Sequence, residues 1–409
     1  MGARRLMSGK LAGHDIVVFA TAGWKGNRVN CHHVAEGLAR TNRVMFVEST
    51  GLRSPHPRDA RRLLERSSHF VQRLQTGPAG PIVVSPIVPP SHHFRGPLAE
   101  ITKRLLQQQV RSAIAGHGFR NPILWSFHPF GSWLHDLGIW SALVYHCVDD
   151  YAANPGVCAK CVHLGEQSLL DKADVVLSTS QTLFQSRRPF RSSKLHIVPN
   201  NAVDVELFKP ANGIQESIAE LRDFPRPIVG FVGNLAGYKV DLDLVEEVAR
   251  KNPAVTFAFV GPVAGGDPSS AARIKRIKTL ANVRMFGPRA YEVLPAWLQA
   301  FDICWIPFNI NASTEGEIPM KFFEYLATGR PVIASDLPAL RDYPGTHWTA
   351  RDAEETSVAI RSALNAPRSP APLAEWIGIG SASTWVDRIE YLKDIVDEAI
   401  RDRAGAARL

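Results

Sequence analysis

The stretch from Glu315 to Asp336, EGEIPMKFFEYLATGRPVIASD, constrains this chain more than any other. Pro319 suits a first helical turn, where a missing N–H costs nothing, and Met320 to Ala327 sets good helix formers and apolar residues at helical spacing. Gly329 ends that helix, and Pro331-Val-Ile-Ala reads as a buried strand. The unit is loop, helix, tight turn, strand. A helix front carries unpaired N–H groups and the positive end of the dipole, so it suits an anion such as a diphosphate; Lys321 adds a full charge. Glu324 lies three residues on, on the same face, and could accept hydrogen bonds from ribose hydroxyls. The plain alternative is a surface helix with a Glu–Lys pair.

The 409 residues exceed one ordinary core, and about 150 residues per domain gives two or three. Composition is globular, 45% hydrophobic and 21% charged. The net charge of +8 favours anionic partners: nucleotide phosphates, acidic glycolipids, anionic lipid surfaces or nucleic acid. No run of eighteen apolar residues is present, which excludes a spanning helix on length. Residues 1–13 are basic but lack the apolar centre of a signal peptide. Five scattered cysteines suit a reducing compartment, so the expected location is cytoplasmic. Cys158-Ala-Lys-Cys161 with His163 supplies three of four zinc ligands and no fourth, so it reads as a solvated helix start and no metal is expected.

In chain order, residues 14–20, HDIVVFA, form an apolar run leading into a loop that contains Gly23, Trp24 and Gly26. A helical pattern follows over 29–40, and then a second apolar run over 43–48. That is the start of a parallel α/β sheet. The glycines do not form G-x-G-x-x-G, so the dinucleotide fingerprint is absent and a nicotinamide oxidoreductase is disfavoured. The loop could take an acceptor or a donor phosphate, or be a tight turn. Residues 58–75, RDARRLLERSSHFVQRLQ, are basic and loosely amphipathic. They read as a surface helix on the sheet, with an anionic membrane surface as the alternative contact.

Residues 121–127 read as a buried strand with His128 just beyond its carboxyl end, where open α/β sheets bind ligands. The next strand, over 142–148, ends in Asp149-Asp150-Tyr151; paired acids there could orient hydroxyls, act as a base or cap a helix. A second α/β half begins at residues 227–233, strand into glycine turn, with further strands over 255–261, 282–288 and 302–308. Residues 384–401 carry an apolar stripe at helical spacing.

Several of these strings resemble the GT-B glycosyltransferases, family four. Glu324-Tyr-Leu-Ala-Thr-Gly-Arg-Pro-Val-Ile is similar to the E-A-x-A-x-G-x-P-V-I signature whose glutamate grips the donor ribose. Pro319-Met-Lys-Phe-Phe-Glu-Tyr-Leu-Ala and YHCVDDY resemble the teichuronic-acid and exopolysaccharide subgroup. Gly233-Asn-Leu-Ala-Gly-Tyr-Lys239 is similar to the G-R-L-x-x-x-K loop that holds the donor diphosphate, with Asn234 in place of the arginine and Lys321 as candidate compensator. Gly287 matches the turn that receives the base. His196 to Phe208 resembles the linker string.

The resemblance implies two Rossmann-like domains with a cleft between them, residues 1–205 for the acceptor and 206–380 for the nucleotide sugar, with residues 381–409 as a helix returning to the first. It implies a hexosyltransferase moving a sugar from a nucleotide-diphosphate donor to a glycan or lipid-linked acceptor, with retention, in surface polysaccharide biosynthesis. Nucleic acid is not an expected partner. Location is cytoplasmic, peripheral at the inner face of the membrane. On the catalytic side stand His128, Asp149 and Glu317; the family has a glutamate where this chain has Gly316, and Glu315 or Glu317 could substitute for it. The donor would meet Gly233, Asn234, Lys239, Gly287, Pro319, Lys321 and Glu324, and the acceptor Gly23, Trp24 and Asp150. The resemblance also implies that the diphosphate is neutralised by cations and helix dipole, without a metal or other cofactor. A binding protein that kept the fold without catalysis is the alternative.

Overall fold

A computed structural model describes residues 11–25, 28–52, 80–89, 94–154, 156–191, 194–198, 202–209, 218–263, 267–311, 314–315, 318–366, 376–379 and 384–406. The basic segment 58–75, Gly26, Glu317 and residues 199–201 of the linker string lie outside them. The chain divides into two compact units, residues 1–199 with 385–409, and residues 200–384.

Unit 1 is built on a seven-stranded sheet in the order β3-β2-β1-β4-β5-β6-β7, every pairing parallel. Its strands are β1 (Asp15–Phe19), β2 (Arg43–Val47), β3 (Ile82–Val84), β4 (Ile123–Ser126), β5 (Ala142–Cys147), β6 (Val175–Ser178) and β7 (Leu195–Ile197). Unit 2 repeats the plan with six parallel strands, in the order β10-β9-β8-β11-β12-β13. These are β8 (Ile228–Val232), β9 (Thr256–Val260), β10 (Val283–Gly287), β11 (Ile303–Ile306), β12 (Val332–Ser335) and β13 (Trp348–Ala350). Parallel strands are covered on both faces, which is why runs such as IVVF, ILWS and IVGFV are apolar at successive positions instead of alternating.

In both sheets strand order reverses beside the first strand, at β1/β4 and at β8/β11. Loops after these strands diverge there and open a crevice at the carboxyl ends. Gly23, Trp24, His128, Asp149 and Asp150 all follow strands of unit 1, and Gly233 and Gly287 stand at strand ends in unit 2.

The C-terminal helix runs Trp385–Ala406 and belongs to unit 1. Trp385 stacks on His33 at 4.5 Å and 11°, and Ile389 fills the notch left by Gly37, where a Cβ would lie 2.4 Å from its Cγ1. Among the described residues no helix is long and apolar enough to cross a membrane.

One expectation needs correcting. Cys158 and Cys161 are neither metal ligands nor a free solvated pair; their sulfurs are bonded to each other. Cys158 caps the helix Ala159–Lys172, so the i, i+3 spacing of the first turn sets the two Cα atoms 5.2 Å apart, within disulfide range.

Candidate functional site

In unit 2 the helix Met320–Ala327 turns Phe322, Phe323, Tyr325, Leu326 and Ala327 into the core. Pro319 is its N-cap, one residue earlier than a first-turn position, with φ −62° and ψ 131°. Tyr325 anchors the helix to β8: its hydroxyl accepts from the Val232 N–H at 2.9 Å. That fixes the helix front beside the β8 turn. Lys321 then extends over Gly233, its Cε 3.1 Å from where a Cβ would stand, with Nζ 4.8 Å from the ring centre of Phe308 and 5.6 Å from that of Phe231.

Glu324 is only 6% exposed. Burial raises its proton affinity, while a 2.9 Å hydrogen bond donated by the Tyr291 hydroxyl to Oε1 and the nearby Lys321 charge pull the other way; the net shift is upward. Tyr291 opens the turn after β10, just past Gly287.

The β8 loop is braced from outside. Asn309 donates through Nδ2 to the Gly237 carbonyl at 2.7 Å, Asn311 to the Tyr238 carbonyl at 3.0 Å, and the Asn309 N–H to the Lys239 carbonyl at 2.8 Å. Ser270 accepts from the Gly237 N–H at 2.8 Å and donates to Asp267. The segment before the helix therefore includes two asparagines that hold the Lys239 loop. Asn234 is half-buried at the start of that loop.

Three strand ends interlock through glycine. The Gly233 N–H donates to Val260 and the Gly261 N–H to Gly287, both at 2.8 Å. Gly261 has φ +141°, and a Cβ on it would lie 2.0 Å from the Gly233 carbonyl oxygen. Gly261→Ala should therefore destabilise unit 2 by about 2–4 kcal/mol, from the φ penalty plus backbone displacement. A denaturant midpoint within error of wild type would contradict this.

In unit 1 the Gly23-Trp24 loop is also tethered. The Trp24 N–H donates to Glu48 Oε1 at 2.6 Å, Ser85 donates to Glu48 Oε2 at 2.6 Å, and His32 Nε2 pairs with the Gly23 carbonyl at 2.9 Å. The Trp24 ring itself is buried, edge-on to Phe46 at 4.8 Å, so its face is not an open contact surface on this loop. His128 is fully buried and stacks on Phe19 at 4.5 Å and 14°. Burial pushes its pKa down to about 3, so the ring is neutral. Its Nδ1 accepts from the Phe130 N–H at 3.1 Å, which puts the ring proton on Nε2, an atom with no hydrogen-bond partner among the described residues.

Asp149 and Asp150 are half-buried after β5. Tyr151 bonds to Thr21 at 3.1 Å, joining this segment to the β1 loop. Arg187, from the helix Gln181–Arg191, sits with Nη2 3.6 Å from Asp150 and 2.9 Å from the buried Glu166. Sequence reasoning missed Tyr291, Glu48, Asn309, Asn311 and Arg187 because each acts across a long sequence separation; a polar residue directly after a strand was the only signal, and it applied to Glu48.

Residues 226–366 match the family described as Glycosyl transferases group 1. TuaH of Bacillus subtilis (strain 168), provisionally named a teichuronic acid biosynthesis glycosyltransferase, is 28% identical over 228 residues, which cover 53% of this chain and 56% of that protein. The match thus spans little more than half of that relative. Among solved structures, Anabaena HepE in complex with UDP and glucose superposes with a TM-score of 0.67 at 17% identity, covering 94% of this chain and all of that one. Sucrose-phosphate synthase from Thermosynechococcus elongatus gives 0.65 at 18%, with coverage of 97% and 98%. The family's segment thus falls in the second unit, and the two doubly wound parallel halves have the GT-B fold of these solved structures.

Proposed function

We propose that this chain transfers a sugar from a nucleoside diphosphate donor to a hydroxyl of a glycan or lipid-linked acceptor, with retention at the anomeric carbon, in surface polysaccharide biosynthesis. The observation that carries the reading is the grouping in unit 2 of a helix front, the Lys321 ammonium and the buried Glu324 carboxylate beside the glycine turn of β8. The helix front and Lys321 suit a diphosphate, and Glu324 suits a ribose. TuaH, by its name, supports the polysaccharide setting.

In this reading the bond from anomeric carbon to diphosphate oxygen breaks first, through an oxocarbenium-like state. Negative charge grows on the diphosphate, and cations already in place cost no reorganisation at that moment. Lys239 and Lys321 supply them, with the N–H groups at the front of the helix that Pro319 caps; Gly233 and Asn234 line the diphosphate, and Gly287 borders the base. His128 offers its Nε2–H to a sugar hydroxyl; a buried donor left unpaired costs about 1–3 kcal/mol, so a ligand that meets it gains that much. Asp149 and Glu317 serve as the carboxylates beside the reacting carbon, and Gly23, Trp24 and Asp150 as acceptor contacts. Diphosphate neutralisation by lysines and helix dipole makes the proposed reaction metal-independent; the D-x-D string Asp241-Leu242-Asp243 is engaged elsewhere, Asp241 capping the helix Leu242–Lys251 and Asp243 pairing with Arg273. The enzyme would work in the cytoplasm against the inner face of the membrane, on a lipid-linked or growing glycan.

A thermal-shift panel of uridine, guanosine and adenosine diphosphates and their sugars tests this directly. One of them at about a hundred times its Kd should raise Tm by about 5–10 °C, since binding to the native state alone adds about 2.7 kcal/mol. A flat panel would remove the donor reading. Donor hydrolysis without acceptor then separates enzyme from mere binder, which would protect the sugar nucleotide and leave it whole.

A further inference from the structure

Glu324 presents a physical problem. Its carboxylate is nearly out of water on a helix whose neighbours are aromatic, where side chains lacking a polar contact are free to turn and where the charged form is disfavoured. The Tyr291 hydroxyl answers it by donating to Oε1 at 2.9 Å. That phenol is itself held: its ring meets Phe208 edge-on at 5.4 Å and 61°, and its backbone begins the short turn Tyr291–Val293 straight after β10. A rigid donor from a different strand end therefore fixes one carboxylate oxygen and leaves the other for a ligand.

We infer that Tyr291 is the positioning residue for Glu324, orienting the carboxylate so that it reads the ribose 2′- and 3′-hydroxyls and restricts the donor to ribonucleotides. This rests on the donor reading above and adds to it a discriminating pair. Ribose hydroxyls donate to a carboxylate that is pre-aimed, so their bonds are charge-assisted and need no reordering of the side chain. A dideoxy sugar leaves the same buried carboxylate unpaired on that side.

The test uses the full-length protein and two nucleotides: whichever of UDP, GDP and ADP the wild type binds, and its 2′,3′-dideoxy form, with Kd measured by calorimetry. Wild type should prefer the ribonucleotide by about tenfold or more, one charge-assisted hydrogen bond's worth. Tyr291→Phe keeps the ring on Phe208 and removes only the hydroxyl. It should bind the dideoxy form as wild type does while its ribo/dideoxy ratio falls to within about threefold, with a lower Tm but a cooperative melt that shows the fold intact. Glu324→Gln should lose the preference likewise. If Tyr291→Phe retains the wild-type ratio, or weakens both nucleotides equally, Tyr291 is a packing residue and the inference fails while the donor reading stands. A wild type that binds none of the three nucleotides overturns both.

Discussion

Replacing Arg187 with methionine is expected to destabilise unit 1 by about 3–5 kcal/mol, the cost of stranding a buried charge. Arg187 is 7% exposed and Glu166 5%, and the guanidinium meets Glu166 through Nη2 at 2.9 and 3.1 Å and through Nε at 3.3 Å. The Tyr145 hydroxyl donates to the same carboxylate oxygen at 2.5 Å, and the Cys147 thiol approaches it at 3.7 Å. Both come from β5, so the single substitution leaves Glu166 negative in an apolar layer with two neutral donors and no cation. The double variant Arg187→Met, Glu166→Leu removes charge and counter-charge together and should recover most of the loss, because well-packed apolar pairs replace buried ion pairs at little cost. Hydrogen exchange of peptides from β5 and the helix Ala159–Lys172 reads this in unit 1 alone. A single variant within about 1 kcal/mol of wild type would show that the pair is hydrated and not buried as described. The double variant has a second use. Arg187 also stands 3.6 Å from Asp150, so a refolded double variant that still loses sugar transfer would trace that loss to the acid pair after β5 rather than to stability.

The parts of this fold that were legible from the chain are those that physics makes local. Apolar runs without alternation mark strands covered on both faces, and β1, β4, β5, β8 and β11 lie where such runs fall. Glu324 and Lys321 could be placed on one helix face because three residues is nearly one turn. Strand edges were harder: β13 is three residues long and its Trp348-Thr-Ala carries no run to find. What stayed hidden is what joins loops to one another. Nothing near Trp24 announces that Glu48 will hold its N–H, or that Phe46 and His32 will cover its ring, and so an aromatic in a glycine loop read as an exposed contact. Asn309 and Asn311 likewise carry no local sign of their role: their side chains are spent on carbonyls more than seventy residues away. Local periodicity has no information about which loop a side chain will meet after the chain doubles back. The disulfide was missed for a different reason: counting cysteines argued about compartment, whereas the spacing at a helix start decides whether two sulfurs can touch.

Lys239→Ala and Glu324→Ala are each expected to abolish donor turnover while leaving the fold intact, but by different routes. Lys239 lies in a loop whose backbone is pinned by Asn309, Asn311 and Ser270, so the loop keeps its place when the side chain is cut back. The charge matters most when the diphosphate departs, and losing one preorganised group of this kind costs about 10²–10³ in kcat. KM should change less, since the ground-state diphosphate can still meet Lys321 and the helix front. In the proposed reading Glu324 acts on the ribose, away from the bond that breaks, so Glu324→Ala should appear first as weaker donor binding and reach kcat only through a misplaced anomeric carbon. Stability should not fall with it, because the substitution removes a carboxylate that burial already disfavours. Steady-state kinetics on donor hydrolysis separate the two patterns. Wild-type activity in both variants would contradict the site, and identical KM and kcat losses in both would mean that the lysine and the glutamate do not divide the donor into diphosphate and ribose as proposed.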